Sequence, residues 1–209
     1  MSFTKTKIYN LALSALLLSR QVTDVDTDIS TNEVKILNQF WEEALHSTLQ
    51  ELDLDGLSEE ITLELLADLT SDASNLWSYV YKYPSRCAYF RRLKSGAVLD
   101  TNRTHIAKRT GIYNGQKAIF TNEYQAVAEC ITNDLALNVL SSPAGMAVVY
   151  KLAFLSSPLA TGKGAAKLRQ EIYQSYLVSL HEAQELDKNE NFSYDNSWDR
   201  SEFVAARLE

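Results

Sequence analysis

The sequence predicts a mainly α protein of the α+β kind: a bundle of about four to five helices, a small inserted β-sheet and an extended C-terminal arm. Three observations lead there. The 209 residues include only seven glycines and three prolines, few for a sandwich or barrel that must turn often. Apolar residues recur at helical spacing towards both ends of the chain, and between about residues 76 and 132 the spacing falls to two. Hydrophobic content of 45% and charged content of 22% are those of an ordinary globular chain long enough to bury a core in one domain. Residues 1–187 are expected to form that domain and 188–209 the arm.

The first helix is expected over about 4–19. Lys5 and Lys7 before Ile8–Leu18 imitate a secretory leader, but Asn10 and Ser14 interrupt the apolar run, which is also too short to span a bilayer. Ile8, Leu11, Ala12, Ala15 and Leu16 instead mark one face of an amphipathic helix. The second, over 31–52, opens on the capping box Ser30-Thr-Asn-Glu33, with Val34, Leu37, Trp41, Leu45, Thr48 and Leu52 along one face. After Gly56, Ser58 is read as the cap of a third helix over 58–70 bearing Ile61, Leu65, Leu66 and Leu69.

Aromatics at 77, 79, 81 and 83, ended by Pro84, begin the β insert of 76–132. Strands follow at Cys87–Leu93, His105–Arg109, Lys117–Thr121 and Tyr124–Thr132, with Asn114-Gly115 as a two-residue hairpin turn. Helices resume over 143–156, opened by Pro143, and over 164–186, where Ala165, Leu168, Ile172, Tyr176 and Leu180 form the buried stripe. The polar stretch from Asp187 is read as non-helical, leading to the small apolar patch of Ser201-Glu-Phe-Val-Ala-Ala-Arg-Leu-Glu209.

Cys87 and Cys130 lie far apart; one disulfide is possible, but the pair reads better as reduced thiols of an intracellular protein. His46, His105 and His181 lack metal-ligand spacing, so no zinc site is expected. Thr161-Gly-Lys-Gly164 lacks the first glycine and the final hydroxyl of a phosphate loop. Glu42/Glu43 and Glu59/Glu60 are neighbours rather than facing carboxyls. The chain is therefore read as a non-enzyme without cofactor or metal.

The net charge of −7 is unevenly placed. Asp24–Asp72 holds fourteen acidic residues against Lys35, and Lys82–Lys117 nine basic residues against Asp100. An acidic and a basic region in one chain suit complementary contacts between copies. The basic side includes Arg86, Arg91, Arg92, Lys94, Lys108 and Arg109, whose competing use is phosphate contact.

Five segments, in order, resemble the tail tubular protein A type of phage head-to-tail adaptor. They are Lys7–Leu16, Val22–Asp28, Trp77-x-Tyr-x-Tyr-x-Tyr-Pro84 with Cys87 and Arg91-Arg92-Leu93, Pro158–Gly162, and the terminal Ser201–Arg207. The likeness spans nearly the whole chain. It departs where Leu52-Asp-Leu-Asp-Gly-Leu57 stands in place of an aromatic–proline pair. The resemblance implies a helical bundle with a β insert that assembles as a ring, typically of twelve copies, below the portal protein ring. It implies a virion neck protein, assembled in the host cytoplasm, that extends the DNA channel and docks the tail nozzle or tail tube protein. Contact with packaged double-stranded DNA would be transient, and no membrane is involved. The arm, through Ser201, Glu202, Phe203, Val204 and Arg207, would reach the portal. The rival readings are a virion-associated cell-wall hydrolase and a helical DNA-binding or regulatory protein.

Overall fold

A computed structural model describes residues 2–25, 31–71, 75–96, 106–159 and 164–190. Helix α1 (Lys5–Ala15) is capped by the Thr4 hydroxyl, which accepts from the Lys7 amide. It stops short of residue 19 because Leu17 turns into the left-handed region, φ 57°. Asn10, which breaks the apolar run, is structural: its amide donates to the Val22 carbonyl at 2.9 Å and its oxygen accepts from the Val22 amide at 2.7 Å. The loop after α1 is thereby fastened to the helix.

Helix α2 (Asn32–Leu52) is capped by Thr31, whose hydroxyl accepts from the Val34 amide; Ser30, the expected cap, lies outside the described residues. Glu33 instead pairs with Arg20 at 3.3 Å. α2 ends on Asp53 in the left-handed conformation, φ 44°, a place where helices more often put glycine. Helices α3 (Ser142–Leu155) and α4 (Ala165–Glu190) complete the bundle. α4 continues past 186 into the stretch read as non-helical. α3 packs against each of the other three helices, and seven of its residues are buried, Val148, Val149 and Leu152 among them. Each such side chain contributes about 1.5–3 kcal/mol of burial.

The predicted fold class does not hold. The described residues form four α-helices and seven strands in two antiparallel sheets, 48% helix and 25% strand. This is an α+β protein with substantial sheet rather than a helical bundle carrying a small insert. The clearest departure is at 58–70. After a single 3-10 turn, Asp55–Leu57, the chain forms β1 (Ser58–Thr62) and β2 (Leu65–Asp68). Positions 61, 65 and 69 satisfy a spacing of two as well as of four, so their periodicity does not distinguish helix from strand. Long-range pairing decides it: β1 pairs with β7 and β2 with β3.

The other strands are β3 (Tyr79–Lys82), β4 (Cys87–Ser95), β5 (Lys108–Tyr113), β6 (Gln116–Thr121) and β7 (Ala126–Thr132). One sheet has the order β1-β7-β4 and the other β2-β3-β6-β5. β5 begins three residues later than expected, and His105 falls outside the described residues. Asn114 and Gly115, both with positive φ (48° and 79°), make the tight β5–β6 turn.

Three layers result. Ile131 and Tyr89 on one face of the β1-β7-β4 sheet join the helical core with Leu37, Leu49 and Leu152. Ala126, Ala128, Cys130 and Leu93 on its other face pack against Tyr81 and Ile119 of the second sheet. β7 therefore carries two cores on alternate residues.

At Gly145 an added Cβ would overlap the ring of Phe3, itself 3% exposed. Gly145→Ala should cost about 1–3 kcal/mol, the usual range for overpacking, in urea unfolding, and Phe3→Leu in the same chain should recover part of the loss.

Candidate functional site

The largest convergence of charge lies where the helical layer meets the first sheet. Glu129 is an acidic residue within an otherwise uncharged strand, Ala126–Thr132, and is 2% exposed. Its odd-numbered position points it to the helix side of the sheet, as for Ile131. Opposite it, β4 contains a bulge: Phe90 pairs with Cys130, but the next partner, Glu129, pairs with Arg92. The extra residue is Arg91, so two adjacent arginines oppose one glutamate.

The contacts follow from that register. Arg91 Nη1 donates to Glu129 Oε1 at 3.0 Å and Arg92 Nε to Glu129 Oε2 at 2.9 Å, while Lys94, two residues along the same face, also pairs with Glu129. Arg91 reaches on to Asp53 at 2.7 Å and to Asp55, and Lys94 to Glu60 of β1 at 2.7 Å. Burial opposes the charge on Glu129, yet hydrogen bonds from Lys94 and Arg92 and their positive charges hold its carboxyl below the ordinary value of 4.5. For Arg91, burial likewise opposes the charge, but Asp53 and Asp55 raise its pKa above the usual guanidinium range.

Helix α4 joins the same junction. The Asp187 carboxylate accepts from the backbone amides of Asp55 and Gly56 at 2.9 and 3.0 Å. Gln184 donates to the Glu51 carbonyl at 3.0 Å, near the end of α2 where carbonyls lack helical partners. Nearby, Lys151 of α3 and Tyr176 of α4 both donate to the Glu51 carboxylate.

These positions change the meaning of the charge layout. Arg86 pairs with Asp134 and Glu59, Arg91 with Asp53, Asp55 and Glu129, Lys94 with Glu60 and Glu129, and Lys82 with Glu64. The acidic and basic regions, expected to meet between copies, meet within one chain, because β1 follows α2 directly and lies beside β7 and β4. Of the six basic residues singled out, Arg86, Arg91 and Lys94 pair with the acidic region, and Arg92 pairs with Glu129 of β7. Lys108 lies over the Phe90 ring, 3.3 Å from its centroid, and exposed Arg109 has no ion pair among the described residues. Ser201, Glu202, Phe203, Val204 and Arg207 lie outside the described residues.

Sequence reasoning missed Glu129, Asp53, Asp55 and Asp187. A usable signal existed for the first: one carboxylate among apolar strand residues, downstream of a basic run, needs a buried cation.

Among the described residues no cluster of three His, Cys, Asp or Glu could hold a metal ion, and no helix is long and apolar enough to cross a membrane. Comparison with protein-family models and with curated proteins gives no match.

Glu129→Gln should destabilise the protein by about 3 kcal/mol at pH 7, near the lower end for breaking a buried pair because Arg92 is half exposed. The carboxyl's pKa is depressed on folding, so its contribution is complete above about pH 5 and is lost as pH falls through the folded pKa. Urea unfolding of the two proteins should show a constant gap at neutral pH that narrows below about pH 4.5.

Proposed function

We propose that this chain is a structural virion protein: a head-to-tail adaptor that forms a ring on a portal protein, extends its DNA channel and presents the docking surface for a tail nozzle or tail tube. The observation that carries the reading is the ordered series of five segments resembling the tail tubular protein A type, from Lys7–Leu16 to Ser201–Arg207. Any one of them is weak, and their order along nearly the whole chain carries the weight.

Three structural features support it. First, the root of the C-terminal arm is fixed. Asp187 and Gln184 hold the end of α4 to the α2–β1 connection, so the helix that precedes residue 191 ends at a defined point on the subunit. A docking arm with a fixed root loses less freedom on binding than one hung from a frayed helix. Second, α4 exposes Tyr173, Leu177 and Val178, apolar residues on the element that leads into the arm. Third, the charged hub makes one rigid joint of the helices and sheets, which suits a subunit that bears load in a ring. The subunit remains a sheet-rich α+β protein in this reading, and its ring contacts do not use the charge pairing between the Asp24–Asp72 and Lys82–Lys117 regions.

Purified protein mixed with portal rings should yield a complex whose mass corresponds to added subunits in the portal's symmetry, measured by native mass spectrometry. A chain ending at Glu190, which keeps α4 whole, should remain folded and lose portal binding by at least about 100-fold, the scale of several buried anchors. Equal binding by the shortened chain would remove the docking-arm assignment, and no complex with the intact chain would remove the adaptor reading.

A further inference from the structure

Neither the charge hub nor the proposed docking arm uses the two cysteines, which are free thiols. Cys87 opens β4 opposite Thr132 of β7, and Cys130 lies two residues back along β7, opposite Phe90. Alternate residues of a strand share a face, so Cys130 and Thr132 both point into the core between the sheets, and Cys87 points there with them. A second bulge of β4 lies between Cys87 and Tyr89. The register makes the two thiols diagonal neighbours on one face, packed in the same apolar cluster between the sheets.

Their surroundings differ. Cys130 is fully buried and Cys87 sits at the rim, half buried. Around Cys87, Tyr83 places its hydroxyl 3.5 Å from the sulfur. Lys117 of β6 lies over the Tyr83 ring at 3.5 Å and Lys108 of β5 over the Phe90 ring at 3.3 Å. The two rings are themselves 6.0 Å apart. The titratable groups facing the pair are therefore Tyr83, Lys108 and Lys117, while Glu129, next to Cys130 in β7, lies on the other face of the sheet and acts on it only through its charge. The hydrogen bond with Cys130, then that with Tyr83 and the charges of Lys117 and Lys108, lower the Cys87 thiol to about 7 against the effect of burial. The same hydrogen bond, together with burial, pushes Cys130 far up.

We propose that Cys87 and Cys130 are a redox-active dithiol, in which Cys87 attacks a small anionic disulfide of the glutathione disulfide class and Cys130 resolves the adduct. The Cys87 thiolate forms a bond to one sulfur of the oxidant, whose S–S bond breaks to release one glutathione. Cys130 then gives up its proton and attacks the Cys87 sulfur, and the second glutathione leaves. Two protein thiols are oxidised by two electrons, one disulfide is reduced to two thiols, and the two protons end on the departing glutathiones. Lys108 and Lys117 favour an oxidant of net negative charge. The bulge between Cys87 and Tyr89 supplies the slack that closes the sulfurs to bonding distance. The product ties an edge strand of the first sheet to its centre.

The test is to incubate the folded full-length protein with glutathione disulfide near pH 7.5 and follow intact mass without reductant. The expected result is loss of two hydrogens with only a transient adduct, and a peptide map linking Cys87 to Cys130. Cys130→Ser should accumulate one glutathione on Cys87, while Cys87→Ser should react at least about 100-fold more slowly than the wild type, as buried thiols do. A wild-type protein that stays unmodified, or ends as a stable adduct on Cys87, overturns the proposal. So does Cys87→Ser reacting as fast as the wild type. Should either variant fail to fold, the wild-type mass and map still decide.

Discussion

The structure depends on a buried carboxylate opposed by three cations. Glu129 lies on β7, the central strand of its sheet, and a bulge in β4 brings Arg91 and Arg92 to the same carboxylate that Lys94 reaches from two residues on. A buried ion pair is seldom a net gain in stability, because desolvating the charges offsets their attraction. Its consequence is specificity. Arg91 cannot serve Glu129 without also lying beside Asp53 and Asp55, and Lys94 cannot without meeting Glu60. The end of α2, the start of β1 and the two strands are thereby held in one register. The end of α4 is held beside them through Asp187.

This arrangement also decides what the surface has left to offer. A chain with one acidic and one basic stretch invites a picture in which neighbouring copies attract each other. Here Lys82, Arg86, Arg91 and Lys94 of the basic stretch pair with Glu64, Glu59, Asp53, Asp55 and Glu60 of the acidic one inside the subunit, while α4 leaves Tyr173, Leu177 and Val178 exposed.

How far the sequence could be read depended on which interactions were local. Pro143 and the Asn114-Gly115 turn act within a few residues, and both are visible in composition and spacing, whereas the cap expected at Ser58 begins a strand and α2 is capped by Thr31. The segment 58–70 was misread because Ile61 and Leu65 fit either period, and the partner that makes β1 a strand is about seventy residues away in β7. That error, carried into the fold class, made the sheet look like an insert when it forms two of three layers. The ion-pair hub was illegible for a related reason. Its register is set by a bulge, and nothing in the run Phe90-Arg91-Arg92 states which residue is the extra one. Glu129 alone gave a clue, as a carboxylate that an uncharged strand could not bury unpaired.

The central claim is that Glu129 is held ionised by cations of its own subunit. The most direct measurement is a carboxyl-detected NMR titration of the carbon-13-labelled protein in dilute solution, with the resonance assigned by Glu129→Gln. The account predicts a midpoint below the ordinary 4.5, unchanged when the protein is diluted tenfold. A midpoint above 4.5, as for a buried glutamate without cations, would contradict it.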